Sequence, residues 1–357
     1  MTTFRQEIRF ARTADGVRIA FAVSGQGHPV VRTATWLSNI EFDWQTPVLG
    51  PQIEAMSERR RLYRYNPRGY GLSEGEGTEL SLETHLHDLR AVIDEAGHRR
   101  VALYGTSGGG AIAIAFAARY PDCVTHLVLM GAFARGLLRS NPTIEQKEKF
   151  FATVKLIELG WGEDNPAFRQ IFTSQLFPNA TLEQIRSINE LQRTAASGRQ
   201  AARFVSANQN LDVSDDLPRV RCPTLVMHCR GDLRVPFEQG RMIAAAIPGA
   251  RFVPLESENH VPLKGEPAFD RLIEEVDAFL PSESAPGANH PKLDQLTNRE
   301  REVLDQIARG LDNGQIAAEF GLSAKTVRNH ITNIFEKLAV GNRAQAIVMA
   351  RDAGLGR

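Results

Sequence analysis

A serine, an aspartate and a histidine, met in that order along the chain, carry the chemistry this sequence most directly suggests. Ser107 lies within Gly105-Thr106-Ser107-Gly108-Gly109, between a strand-like run, Val101-Ala102-Leu103-Tyr104, and a helix-like run over residues 111–120. A sharp strand-to-helix turn needs small neighbours around the serine; it lifts the hydroxyl above the sheet and points the following N–H groups outward. The hydroxyl is a poor nucleophile until a base removes its proton, and the base needs a third group to hold its tautomer. Asp232 follows an apolar run over 224–228 in the loop Arg230-Gly231-Asp232-Leu233-Arg234-Val235-Pro236. His260 follows a second run over 251–254, in Glu256-Ser257-Glu258-Asn259-His260. Each falls just past the end of an expected strand, which puts all three on one rim.

The elements that must position them begin with a hairpin. Two alternating runs, Ile8-Arg9-Phe10 and Val17-Arg18-Ile19-Ala20-Phe21, flank Ala14-Asp15-Gly16, and Asp-Gly is a strong turn signal. Strands and helices then alternate: strands at 29–31 and 62–65, helices at 52–60 and 82–96, the strand entering Gly105, the helix behind Ser107, and strands at 125–130, 223–227 and 251–254. A hairpin followed by strand-helix repeats implies an α/β fold with a mostly parallel sheet covered on both faces. Between Met130 and Pro223 a mostly helical insertion, about 133–215, carries Phe150, Phe151, Phe168, Phe172, Phe177 and Phe204. An insertion at a strand end in such a sheet overhangs the ligand crevice, so these rings either line a pocket or form the insertion's own core. His85, His87 and His228 read as surface or packing residues, and Arg59-Arg60-Arg61 as a solvated helix end.

Residues 1–281 resemble the α/β-hydrolase superfamily. Ser107, Asp232 and His260 match its nucleophile, acid and base motifs, and Tyr65-Asn66-Pro67-Arg68-Gly69-Tyr70-Gly71-Leu72-Ser73 resembles its Tyr-Asp-x-Arg-Gly-x-Gly-x-Ser loop, with Asn66 in place of the aspartate. The resemblance implies an eight-stranded sheet, a helical cap and a catalytic triad. It also implies an oxyanion hole. One donor is the Gly108 N–H at the start of a helix, where the dipole adds to the field. The second comes from the main chain of Thr33-Ala34-Thr35-Trp36-Leu37, at Trp36 or Leu37, although the family's usual His-Gly pair is missing from that loop.

Beyond 281 the character changes. Residues 282–293 form a polar linker, from Ser282-Glu283-Ser284 onward rich in Ser, Gly and Pro. Thr297-Asn298-Arg299-Glu300 is a capping box opening a helix with Val303, Leu304 and Ile307 on one face. Asp312 and Gln315 repeat the logic for a short helix, Gly321 makes a turn, and Ser323 caps a third helix. That helix buries Val327, Ile331, Ile334, Phe335 and Leu338 in one stripe and leaves Lys325, Arg328, Asn329 and Thr332 together on the other side, where a recognition helix presents base-reading residues. Residues 294–357 hold a segment that closely resembles the LuxR-type helix-turn-helix, through Leu296-Thr297-Asn298-Arg299-Glu300-Arg301-Glu302-Val303-Leu304, Lys325-Thr326-Val327-Arg328-Asn329-His330-Ile331 and Asn342-Arg343-Ala344-Gln345-Ala346. The resemblance implies major-groove contacts from Lys325, Arg328, Asn329 and Thr332, phosphate contacts from Thr326, His330 and Lys337, and a dimer surface on the last helix. Paired half-sites about one DNA turn apart follow for a dimer. Gly314 departs from the family pattern, and an interior helix glycine costs up to about 1 kcal/mol.

Composition bounds these readings. The 357 residues suit two domains. The 42 basic and 42 acidic residues balance, and the last segment, from Lys292, has ten basic against eight acidic, so non-specific phosphate attraction by one copy is modest. Cys123, Cys222 and Cys229 have no zinc spacing, and no metal or cofactor is expected. The N-terminus lacks a signal-peptide core, and the glycines within 101–118 argue against a membrane span, so a cytoplasmic protein is expected. Two functions fit: a transcription regulator whose hydrolase-like domain senses, and slowly hydrolyses, a small ester- or lactone-like ligand; or a carboxylic ester hydrolase or lactonase with an accessory DNA-binding or dimerising tail.

Overall fold

The computed structural model describes residues 5–281, 293–352 and 355–356. The chain forms two compact units, Met1–Ser282 and Glu283–Arg357. The linker expected at 282–293 lies, except for Leu293, outside the described residues.

The first unit opens with β1 (Gln6–Arg12) and β2 (Arg18–Ser24), paired antiparallel with Ile8 opposite Ala22. The turn between them is closed by Gly16 at φ +87°, a conformation that suits glycine. Then follow β3 (His28–Arg32), α1 (Gly50–Arg59), β4 (Arg60–Tyr65), α2 (Leu82–Glu95), β5 (Val101–Thr106), α3 (Gly108–Arg119) and β6 (Val124–Met130). Four helices interrupt the alternation: α4 (Ile144–Gly160), α5 (Ala167–Leu176), α6 (Leu182–Ala195) and α7 (Gly198–Gln209). The alternation resumes with β7 (Thr224–Cys229), α8 (Phe237–Ala246), β8 (Arg251–Leu255) and α9 (Pro267–Phe279). The eight strands run in the order β1-β2-β4-β3-β5-β6-β7-β8. β1–β2 and β2–β4 pair antiparallel and every other pair is parallel.

Strand residues divide by alternation between two apolar layers. Ala102 and Tyr104 of β5 join the cluster shared with the insertion helices, whereas Val101 and Leu103 face the cluster containing α2 and α3. Helix α3 is apolar all round because it is buried from Gly108 to Ala118. Its approach to β5 is close: a Cβ on Gly105 would lie 2.7 Å from the Gly110 Cα.

Two sequence expectations change here. Arg60 does not belong to a solvated helix end. It opens β4, is fully buried, and donates to Asp277 Oδ1 at 2.6 Å and to the Leu280 carbonyl at 3.1 Å, which fastens the end of α9. The insertion's aromatic residues divide. Phe150, Phe172, Phe177 and Phe204 are buried in a core continuous with the sheet residues Tyr104 and Val128 and the loop residues Trp36 and Tyr70, while Phe151 and Phe168 are exposed. The insertion therefore has no separate core. Asn66 takes a structural part: its Oδ1 accepts the Ile40 N–H at 2.9 Å and its carbonyl accepts the Ser73 hydroxyl at 2.8 Å.

The second unit contains α10 (Asn298–Ala308), α11 (Asn313–Phe320), α12 (Ala324–Leu338) and α13 (Arg343–Asp352). The capping boxes at Thr297/Glu300 and Asp312/Gln315 form, and Gly321 adopts φ +62° in the turn before Ser323 caps α12. Val303, Leu304, Ile307, Ile316, Val327, Ile331, Ile334 and Leu338 make the core. Gly314 is not interior. It lies in the first turn of α11, where Asp312 Oδ1 accepts its N–H at 2.8 Å, so the interior penalty does not apply.

Among the described residues no helix is long and apolar enough to cross a membrane.

Candidate active site and DNA-reading helix

Ser107 joins β5 to α3 with φ 52° and ψ −128°. This is the left-handed side of conformational space, held by the Ser107 N–H to Met130 carbonyl bond at 3.1 Å and the Gly110 N–H to Ser107 carbonyl bond at 3.0 Å. The helix begins at once, at Gly108, three residues before the apolar pattern suggested. The turn tolerates few side chains: a Cβ on Gly109 would lie 2.7 Å from Thr33 Oγ1, and that hydroxyl donates to the Gly109 carbonyl at 2.8 Å. A strained serine on such a turn is the signature of an activated nucleophile.

Asp232 and His260 meet after β7 and β8. His260 Nδ1 lies 2.7 Å from Asp232 Oδ2. The other carboxylate oxygen accepts the N–H groups of Arg234 at 2.8 Å and Val235 at 3.0 Å. Burial pushes the Asp232 carboxyl up, but His260, the hydrogen bonds from His228 and His260, and the Val235 N–H outweigh it and hold the group well below the usual carboxylate range. An ionised Asp232 fixes the imidazole with its Nδ1–H toward the acid. That leaves His260 Nε2 buried and without a hydrogen-bond partner among the described residues. Its ring passes over the end of β6: a Cβ on Gly131, itself at φ +55°, would lie 2.8 Å from His260 Cε1.

His228 was expected to be a surface or packing residue. It is fully buried, its Nε2 is 2.9 Å from the Val235 carbonyl and 3.3 Å from Asp232 Oδ2, and it is a second partner of the candidate acid. Its penultimate position in β7 gave no such signal.

The insertion roofs this rim. Trp36, in the loop after β3, packs tilted against Trp161 at 5.3 Å and edge-to-face against Phe172 of α5 at 6.1 Å between ring centroids. One turn further along α5, the Leu176 carbonyl accepts the His260 N–H at 2.8 Å, so a single helix reaches from the candidate oxyanion loop to the candidate base. In that loop the Leu37 N–H is directed to Thr35 Oγ1 at 3.3 Å. Among the described residues the Trp36 N–H has no hydrogen-bond partner. From α7, Asn208 reaches the elbow itself: a Cβ on Gly108 would lie 2.5 Å from Asn208 Nδ2. Neither Asn208 nor Trp161 carries a sequence signal of its own.

In the second unit, Lys325, Arg328, Asn329 and Thr332 are exposed together on α12, while Thr326 and His330 are half-buried. Lys337, expected to meet phosphate, is half-buried and has an ion-pair partner within the domain. Its ammonium donates to the buried Glu300 carboxylate of α10 at 2.6 Å, on Oε2, the same oxygen that accepts the Thr297 N–H and hydroxyl in the capping box. Among the described residues no three His, Cys, Asp or Glu side chains are grouped to hold a metal ion.

A serine at a strained strand-to-helix turn, an acid and a histidine after later strands, and a helical roof define an α/β-hydrolase. A family model for the alpha/beta hydrolase fold matches residues 43–267, and one for bacterial regulatory proteins of the luxR family matches residues 294–350. The chain belongs to the α/β-hydrolase family and joins that domain to a LuxR-type DNA-binding domain of transcription regulators. It is 27% identical over 274 residues, 75% of this chain and 97% of the relative, to a pyrrolizixenacetamide deacetylase of Xenorhabdus hominickii. Over 61 residues, 17% of this chain, it is 49% identical to the probable transcriptional regulatory protein SgaR of Hyphomicrobium methylovorum, of which it covers 29%. Among solved structures it resembles an esterase from Exiguobacterium antarcticum (TM-score 0.63, 24% identity, 76% of this chain and 98% of that one). An enol-lactonase from Burkholderia xenovorans is similar in fold (TM-score 0.62, 21% identity, 76% and 99% covered).

Proposed function

We propose that this protein is a cytoplasmic, ligand-responsive transcription regulator, in which the hydrolase-fold unit binds and slowly cleaves a small ester- or lactone-like molecule. The observation that supports this most is the fusion itself: an Asp232–His260 pair at 2.7 Å and a strained Ser107, in one chain with a LuxR-type domain. In the proposed reaction Ser107 Oγ attacks the carbonyl carbon while His260 Nε2 takes its proton. The oxyanion is received by the Gly108 and Trp36 N–H groups. The tetrahedral intermediate expels the alkoxide, which takes the proton from His260, and water then releases the acid by the same route. A slow second step keeps the acyl group on Ser107, and the serine then acts as a receptor group.

On DNA, Lys325, Arg328, Asn329 and Thr332 read base edges while Thr326 and His330 meet phosphates. A homodimer through α13 sets two half-sites; Val348, 60% exposed on that helix, supports a partnered face. Mobility shift and footprinting with the full chain test the reading, with and without simple esters. Ligand-dependent protection of a specific site, altered in dose or time course by Ser107→Ala, is the expected result; no site-specific binding in any ligand state removes it.

The second reading, an ester hydrolase or lactonase with an accessory tail, is favoured by the Asp232–His260 geometry and by the relative named as a deacetylase. Steady turnover of 4-nitrophenyl acetate, abolished in Ser107→Ala, with unchanged transcription in a deletion strain, would select it.

A further inference from the structure

We infer that the outer face of α4 pairs antiparallel with the same face of a second copy of this chain, so that two hydrolase units associate through their caps about a twofold axis between Phe151 and Ala152. The inference does not depend on the hydrolytic reading, and it adds an interface to the one proposed for α13.

A surface helix holds to its domain with one apolar stripe. Helix α4 has that stripe on its inner side, where Phe150, Ile157 and Gly160 are buried. Its outer side is apolar as well: Ile144 is 78% exposed, Phe151 56% and Leu159 62%. At 3.6 residues per turn, these three fall within an arc of about 100° together with Glu148, Ala152 and Lys155, and all six are exposed. They form two rows at i, i+4 spacing, Ile144-Glu148-Ala152 and Phe151-Lys155-Leu159. Such rows are the ridges of the commonest class of helix–helix packing.

The order of residues identifies the occupant. Counted outward from the midpoint between Phe151 and Ala152, Lys155 lies as far to one side as Glu148 to the other, and Leu159 as far as Ile144. The two rows are therefore mirror orders of each other in kind: large apolar residue, charge, centre. An antiparallel twofold pairing sets Glu148 against the Lys155 of the second copy, and does so twice, with the apolar ends level with each other. Parallel pairing would set like against like. Among the described residues Glu148 forms no hydrogen bond or ion pair, whereas Glu145 meets Lys149 at 2.6 Å and Glu158 meets Lys155 at 2.9 Å. In the pair, Lys155 lies between its own Glu158 and the Glu148 of the second copy. The helix carries three lysines and three glutamates, a balance that gives no attraction to an anionic membrane or to nucleic acid and suits a self-complementary face.

Disulfide trapping with the full chain reads the register directly. Oxidation of an equal mixture of the Glu148→Cys and Lys155→Cys proteins should give a cross-linked dimer. Either variant alone should give none beyond the wild-type background, because only positions 148 and 155 come within the short Cα separation that a disulfide requires. Sedimentation equilibrium of the full chain reads the strength. Glu148→Lys should raise the dimer dissociation constant by about tenfold or more, since it sets like charges against each other twice, and Glu148→Lys/Lys155→Glu should restore it, since the twofold exchanges both. Both positions are exposed, so neither change threatens the fold. Cross-linking no greater in the mixture than in the separate variants would overturn the inference. A dissociation constant unmoved by Glu148→Lys but raised by Val348→Asp would also overturn it and leave the dimer to α13. A chain that is monomeric throughout and floats with phosphatidylcholine vesicles, unless Phe151→Asp is introduced, would give this face to a membrane and overturn it as well.

Discussion

His228 Nε2 stands 3.3 Å from Asp232 Oδ2, the same oxygen that His260 engages at 2.7 Å. One carboxylate oxygen thus faces two imidazoles, one at the rim and one fully buried. The buried ring also meets the Val235 carbonyl at 2.9 Å, so its Nε2–H is shared between a neutral and a charged acceptor.

That sharing gives the first prediction. His228→Leu removes one donor from the acid without touching the base. A hydrogen bond to a charged group contributes about 1.5–3 kcal/mol, so kcat/KM on 4-nitrophenyl acetate should fall roughly ten- to a hundredfold. Asp232→Asn should cost more, on the order of 10^4, because the imidazole loses its tautomer as well as its charge partner. Steady-state kinetics of both variants, with near-ultraviolet circular dichroism to confirm folding, check the order.

Gly108→Ala places a methyl group 2.5 Å from Asn208 Nδ2. Overpacking of this kind costs about 1–3 kcal/mol. Urea denaturation should show that loss, and Gly108→Ala/Asn208→Ala should recover a large part of it. Recovery absent from the double variant would mean that the strain lies elsewhere in the elbow.

His85 is buried against Phe204 at 5.1 Å, and its Nε2 has no partner among the described residues. Burial, and then the Arg68 charge, push its pKa down to about 4 from 6.5. The folded state therefore binds fewer protons than the unfolded one between those values. Its contribution is fully present above pH 6.5 and is lost as pH falls toward 4, by roughly 3 kcal/mol over the window. His85→Leu should lose less stability between pH 7 and pH 5 than wild type in denaturant titrations; an identical pH dependence would remove His85 as a cause.

Two of the cations of α12, Arg328 and Lys337, should behave differently on DNA. Arg328→Ala is expected to weaken specific binding by about 1–3 kcal/mol and relax one base position. Lys337→Gln should lower the stability of the C-terminal unit by about 1 kcal/mol and leave the salt dependence of binding unchanged, since its charge is already engaged by Glu300. A salt slope reduced by about one in Lys337→Gln would instead return Lys337 to the phosphates.

Much of this architecture was legible because local signals agreed. Asp-Gly between alternating runs gave the hairpin, and the small residues around Ser107 gave the elbow. Thr297/Glu300 and Asp312/Gln315 gave two helix starts in the second unit. What stayed hidden is tertiary. His228 looks like any strand histidine until β8 brings His260 to the other side of Asp232. Arg60 sits in a run of three arginines, and only the packing of α9 separates it from its neighbours. Lys337 follows the family pattern in sequence, yet a capping glutamate two helices earlier meets its ammonium. Asn208 is one polar residue among several on α7, and its meaning depends on a glycine about a hundred residues earlier.

The hydrogen bond from the His260 N–H to the Leu176 carbonyl ties the histidine's own backbone to the roof helix. Lifting that helix to admit a molecule frees the very loop that aims the imidazole. The roof helix and the candidate base are thereby one mechanical unit, and a displacement of α5 would disturb the alignment of His260.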